Sequence, residues 1–182
     1  MNVTWFAHGS PRMAFQRYVA SQAQGEVLDV GCGTEAVFDG PNVTHLDLLD
    51  FSLVYERFIQ ADALASGLPD KSFDTVVLGD ILEHVEMPGT LMAEAARLAK
   101  RVLCFTTFEE TRLGSPGNYL PRPDLSGHCW HFDQRMIINL CGCAPGFGID
   151  GLHKVYEVFH EGQPYFEWMG HLLAVGEEAA GD

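Results

Sequence analysis

Val27-Leu28-Asp29-Val30-Gly31-Cys32-Gly33-Thr34-Glu35 is a short apolar run that stops abruptly at glycines. Four apolar-rich residues bounded in this way read as a buried strand, and the glycines as the tight turn after it. Glycine lets the backbone approach a ligand closely, because no Cβ intervenes. In a doubly wound sheet the first such turn lies at the switch point, where ligands bind. A Gly-x-Gly turn alone also fits an ordinary strand-to-helix corner. Two glycines without a third fit a dinucleotide fingerprint poorly.

Similar runs lie on both sides of this turn. Residues 11–24 read as a leading helix ended by Gly25. Residues 43–46 form a second candidate strand after Gly40, Pro41 and Asn42, residues 58–61 a third and residues 75–78 a fourth. Leu91, Met92, Ala95, Leu98 and Ala99 recur at helical spacing behind Pro88 and Gly89, and residues 102–106 form a fifth strand. Alternating strands and helices with near-continuous apolar strands predict a parallel sheet covered on both faces. Residues 109–131 are rich in Gly, Pro and polar side chains, and connections of that length are usually functional or disordered. Asp133 is a candidate cap for a helix burying Met136, Ile137, Leu140 and Cys141. Residues 151–159 and 166–175 read as two strands joined through Gly162 and Pro164, a hairpin at the sheet edge.

With 182 residues, 47% of them hydrophobic, the chain fits one domain, residues 1–182. Its formal net charge of −14 disfavours a nucleic-acid partner, because that affinity comes largely from Lys and Arg neutralising phosphates. No apolar run approaches the roughly 20 residues of a membrane span. The N-terminus lacks the pattern of a secretory signal. Cys32, Cys104, Cys129, Cys141 and Cys143 are odd in number and irregularly spaced, which suits a reducing cytoplasm. Cys141 and Cys143 read as small apolar residues near a helix end. The oligomeric state is not encoded in any of these features.

Asp47 closes the second candidate strand. A carboxylate there accepts hydrogen bonds from ribose hydroxyls, with Asp50 an equally placed neighbour. Further on stand Gln60-Ala61-Asp62-Ala63 and then Leu68-Pro69-Asp70-Lys71-Ser72-Phe73-Asp74-Thr75-Val76-Val77-Leu78-Gly79-Asp80-Ile81-Leu82-Glu83-His84-Val85. Together with the opening turn, these runs resemble the class I S-adenosylmethionine-dependent methyltransferases, in their small-molecule branch. The resemblance extends from about residue 26 to residue 107. It implies an α/β, Rossmann-like, doubly wound and mostly parallel seven-stranded sheet with an antiparallel edge hairpin. It also implies transfer of a methyl group from S-adenosylmethionine to an oxygen or nitrogen of a small metabolite. Asp29, Gly31 and Gly33 match the turn under the methionine half of the cofactor. Asp47 matches the ribose acid. Asp62 matches the acid facing the adenine amino group, and Ala63 the backbone amide beside the ring. Gly79 and Asp80 match the end of the fourth strand beside the sulfonium. Glu35 replaces the third glycine and is expected to point outward into a following helix.

Methyl transfer needs a base only when the acceptor carries a proton, and His128 and His131 are the candidates. Trp130, Phe132 and Tyr119 are candidates for an apolar pocket wall. Residues 109–131 and the leading helix, with Phe15 and Tyr18, are expected to cover the substrate, with Trp5, Tyr119 and Trp130 as contacts. Asp80, Glu83, His84 and His128 also look like the divalent-metal set of some ubiquinone-pathway and small-RNA methyltransferases. The favoured reading is metal-free, with Glu83 and His84 beginning the helix after the fourth strand. A non-catalytic cofactor-binding or regulatory protein is the alternative. An NAD-dependent oxidoreductase, which does not explain residues 68–84, is a weaker one.

Overall fold

The computed structural model describes residues 11–109, 117–120, 127–158 and 164–175. The leading helix is α1 (Pro11–Gln22). Gly25, at φ +56°, turns the chain into β1 (Val27–Val30), whose four residues are all buried. Next come β2 (Val43–Asp47), β3 (Phe58–Gln60), β4 (Phe73–Leu78), α2 (Pro88–Leu98) and β5 (Ala99–Glu109). A two-stranded ribbon, β6 (Asn118–Tyr119) and β7 (Trp130–His131), precedes α3 (Gln134–Cys141). Asp133 caps α3 as expected, accepting from Met136 N. The chain ends in the long hairpin β8 (Phe147–Val158) and β9 (Pro164–Ala174).

The seven-stranded sheet has the order β3-β2-β1-β4-β5-β9-β8. The first five strands are parallel to one another, and β9 lies antiparallel between β5 and β8. The chain runs outward from β1 to β2 on one side and crosses to β4 on the other. The switch point therefore lies between β1 and β4, where an open α/β sheet binds its ligands. Period-two alternation divides the strand residues between two cores. Leu28, Val30, Val76 and Leu78 face α2 and α3. Val27, Val43, Val77 and Val102 face α1, with Phe15 and Val19 from the helix.

Regular strand–helix alternation is not found. Among the described residues, β4-α2-β5 is the one parallel crossover made by a helix. Residues 31–42 and 61–72 cross in about a dozen residues each, near the minimum for a parallel connection. They hold Gly31, Gly33, Gly40 and Pro41, and Gly67 and Pro69, all poor helix formers. Single side chains cover the sheet there, with Val37 and Phe38 packing on the α1 face. Glu35 is exposed, as expected, but has no helix to enter. Residues 81–87 are turns, so Glu83 and His84 precede α2 rather than begin it; Pro88, with its fixed φ, starts the helix. Ala99 is extended (φ −79°, ψ 134°) and opens β5 rather than closing the helix. Cys141 is buried, whereas Cys143 is exposed, and all five cysteines are free thiols. No described helix is long and apolar enough to cross a membrane.

Candidate functional site

Gly31, Gly33, Asp47, Asp62, Ala63, Gly79 and Asp80 all fall at the carboxyl ends of β1 to β4, along one edge of the sheet. Backbone hydrogen bonds tie these ends together. Gly31 N and Cys32 N donate to Leu46 O, and Ala61 N donates to Asp47 O. The Asp47 carboxylate receives Gly33 N at 2.9 Å and Leu49 N at 3.0 Å. Each oxygen keeps a further lone pair for a ligand hydroxyl. Asp50 is exposed and closes its own turn with Ser52 N. Asp62 is exposed and receives Leu64 N at 2.8 Å.

The two turn glycines differ in kind. Both have positive φ, +74° at Gly31 and +56° at Gly33. A Cβ at Gly31 would meet Ile81 Cδ1 at 2.4 Å, whereas one at Gly33 would meet nothing within 4 Å. Gly31 thus serves packing, while Gly33 leaves an open space beside Asp47. A Cβ on Gly79 would meet Val37 Cγ2 at 2.6 Å, so Gly79 admits the chain of residues 31–42. Asp80 is a non-glycine residue at φ +50°, a costly conformation of the kind that collects at functional sites.

Asp29 is only 1% exposed, and its carboxylate faces His45, whose Nδ1 lies at 3.3 Å. Its influence on the open edge therefore passes through the turn it precedes. No sequence motif marks His45. The available signal was register, because Asp29 and His45 are paired across β1 and β2.

The second half of the site lies behind β4. Glu83, His84 and His128 bring ligating atoms within 4.8 Å of one another, and Asp80 stands outside this cluster. Cys129 N and Trp130 N both donate to Glu83 O, docking the segment before α3 onto residues 83–84. Glu83 is fully buried. Thr107 Oγ1 donates to its Oε2 at 2.9 Å, while Oε1 has no hydrogen bond among the described residues. Burial, and secondarily the nearby Asp80, hold this carboxyl well above the usual range. His84 Nδ1 lies 3.2 Å from Gly127 O, and the His84 and His128 rings meet edge to face at 4.7 Å. His131 is half-buried in β7.

Trp130 and Phe132 line an open cleft of about 370 Å³ between the start of α2 and α3, with Met87, Met136 and Leu140. Met136 and Leu140, expected only as core, are its unforeseen members. Tyr119 packs on the Trp130 ring at 4.8 Å. Phe15 is fully buried beneath the sheet, so it is a core residue rather than a substrate contact. Tyr18 hydrogen-bonds His171 Nδ1 at 2.5 Å. Trp5, and residues 110–116 and 121–126 of the long connection, lie outside the described residues.

A glycine turn at the switch point, acids after β2 and β3, and a terminal antiparallel hairpin define a Rossmann-like α/β fold of the methyltransferase type. The methyltransferase domain family matches residues 7–146, and the chain belongs to it. The ubiquinone biosynthesis O-methyltransferase of Paracidovorax citrulli (strain AAC00-1) is 37% identical, over 41% of this chain and 39% of that protein. The chain matches less than half the length of its curated relatives. Among solved structures, the 1,6-didemethyltoxoflavin-N1-methyltransferase of Burkholderia thailandensis, with bound 1,6-didemethyltoxoflavin and S-adenosylhomocysteine, has a TM-score of 0.65. It is 18% identical, over 91% of this chain and 77% of that one. The [4+2]-cyclase SpnF also has a TM-score of 0.65, at 16% identity, over 90% and 81%. At such identities the likeness establishes the fold, and a shared fold leaves the reaction open.

Proposed function

We propose that this chain, as one domain, binds S-adenosylmethionine along the carboxyl ends of β1 to β4 and transfers its methyl group to a small metabolite. The observation that carries this reading is the open space at Gly33, at positive φ, directly beside the Asp47 carboxylate. When bound, the cofactor supplies a methyl group on a sulfonium, already activated for in-line displacement. The protein's part is alignment and exclusion of water. Gly33 admits the methionine half, and Gly31 and Asp29 fix the turn beneath it. Asp47 accepts from the ribose hydroxyls. Asp62 would accept from the adenine amino group, and the Ala63 amide would serve the ring. Gly79 and Asp80, after β4, would lie on the sulfonium side of the cofactor. His128 and His131 are the candidates to take the acceptor's proton. The O-methyltransferase names of the curated relatives favour oxygen over nitrogen as acceptor. The net charge of −14 and the free thiols favour a small substrate and a cytoplasmic setting. Calorimetric titration with S-adenosylmethionine and, separately, NAD tests the reading. Binding of the first and not the second is expected. The reverse would overturn it, and cofactor binding without turnover on any acceptor would favour a non-catalytic role.

One observation favours a second reading. The donor atoms of Glu83, His84 and His128, with Glu83 Oε1 unsatisfied among the described residues, fit a divalent ion. Such an ion would orient an acceptor hydroxyl. The favoured reading does not require it.

A further inference from the structure

The connection of residues 31–42 carries the glycine turn without any helix to stiffen it. It is pinned instead at every third residue by side chains from β2 and the segment after it. Gly33 N donates to Asp47 Oδ2 at 2.9 Å, and Ala36 N donates to Tyr55 Oη at 2.8 Å. Asp39 Oδ1 accepts from His45 Nε2 at 3.1 Å. His45 is the centre of this arrangement. It is 2% exposed, and its ring stacks on Tyr55 at 4.0 Å with the planes 28° apart. Its other nitrogen, Nδ1, faces the buried Asp29 carboxylate at 3.3 Å.

We propose that His45 is a positioning residue for the cofactor turn: by holding Asp29 and Asp39 at once, it sets the backbone of residues 31–39 that receives the cofactor. The inference rests on the S-adenosylmethionine reading above. Ionised carboxylates only accept hydrogen bonds, so two of them flanking one imidazole require both ring nitrogens to donate. Buried carboxylates in folded proteins are paired or hydrogen-bonded, and the His45 ring supplies Asp29 with such a partner. The groups facing the ring are Asp29 from β1, Asp39 from the connection and Tyr55 from the segment before β3. Glu56 and Arg57 line the same recess. Burial alone would lower the imidazole's pKa, but the bonds to Asp29 and Asp39 outweigh it and raise it above 6.5. The contribution is therefore complete below about pH 6.5 and is lost as pH climbs through the raised value. The deprotonated ring turns a lone pair toward one carboxylate, and that contact fails.

Two measurements test this, each on the wild type, His45→Gln and Asp39→Asn at pH 6 and pH 9. The first is amide hydrogen exchange of Gly33 and Ala36 in the cofactor-free protein, corrected for intrinsic rates. The second is calorimetric binding of S-adenosylhomocysteine. At pH 6, His45→Gln should exchange faster and bind about tenfold more weakly than the wild type, a change of about 1.4 kcal/mol. The wild type should approach His45→Gln at pH 9. Asp39→Asn should be nearly independent of pH, because the asparagine amide donates to the neutral ring. Identical exchange and binding in wild type and His45→Gln at both pH values would overturn the proposal. If His45→Gln does not fold, an Asp39→Asn profile that keeps the wild-type pH dependence overturns it instead. A wild type that binds no S-adenosylhomocysteine at either pH overturns the cofactor reading, and the exchange contrast separates that failure from failure of the His45 assignment.

Discussion

Gly33 N–H points into the Asp47 carboxylate at 2.9 Å, so the turn after β1 and the acid ending β2 form one unit. Asp47→Ala removes both the anchor of the turn and the proposed acceptor of the ribose hydroxyls. S-adenosylmethionine binding should weaken by about 1–3 kcal/mol, the range for losing charged acceptors. Asp47→Asn keeps an oxygen for Gly33 N and should lose less. Asp50→Ala, at an exposed turn, should leave affinity unchanged. Calorimetry on the three variants decides, and an effect at Asp50 rather than Asp47 would transfer the role.

Substitutions at Gly31 and Gly33 should have different consequences, although the two glycines look alike in the sequence. Gly33→Ala places a methyl group in open space at φ +56°. The backbone cost is roughly 1 kcal/mol, so the protein should stay folded while cofactor affinity falls sharply. Gly31→Ala drives a Cβ into Ile81. It should lower the melting temperature before binding can be assessed. Thermal melts beside titrations make the comparison. Full affinity in Gly33→Ala would remove the cofactor from that space.

The strands are legible because residues 27–30, 43–46 and 75–78 are rich in apolar and β-branched side chains and bounded by turn residues. The cap at Asp133 was legible because its chemistry is local. The missing helices were not, because strand–helix alternation is a fold-level habit. Connections of about a dozen residues with several glycines suffice to cross between parallel strands. His45 was hidden for a related reason: its meaning depends on register with Asp29 and on Asp39 folding back, both non-local. The cleft at Trp130 was partly legible, as aromatics in a long connection. Met136 and Leu140 read as core because helical spacing places them on the inward side of α3 without revealing that a cleft opens there.

Glu94 and Arg97 on α2 hold the segment that carries Asp62 and Ala63. Ser66 N and Oγ donate to Glu94 Oε1, Arg97 bonds the same carboxylate, and Arg97 also donates to Leu68 O at 2.7 Å. The Arg97 bonds, opposed by some burial and reinforced by Ser66, lower the Glu94 pKa from 4.5 to about 2. A lowered carboxyl pKa stabilises the fold above the unfolded value. That stability is lost as pH falls from about 4.5 through about 2. Glu94→Gln should cost about 1–2 kcal/mol at pH 7, after allowing for the partly exposed Arg97. It should also flatten the acid limb of the stability curve. Denaturant melts from pH 2 to pH 7 measure both, and parallel wild-type and variant curves would deny the network its role.

The Glu83-His84-His128 cluster separates the metal-free and metal-bound readings. Two segments meet there because Cys129 N and Trp130 N close on Glu83 O, so proximity of the three side chains follows from chain docking alone. Thr107 already occupies one Glu83 oxygen, and Asp80 remains outside. Three protein donors would leave an ion with open positions for an acceptor. His84 is exposed, so solvent and chelator can reach the cluster. We expect turnover and cofactor affinity to be unchanged after chelation and dialysis. His84→Ala removes its contact with Gly127 O and should cost about 1 kcal/mol of stability, the usual worth of one hydrogen bond. His128→Ala, at a buried position, should cost stability whatever the acceptor. Loss of turnover on chelation and its return with one divalent ion, together with about one ion per chain by elemental analysis, would reverse the assignment. Glu83, His84 and His128 would then be ligands, and proton transfer would fall to His131.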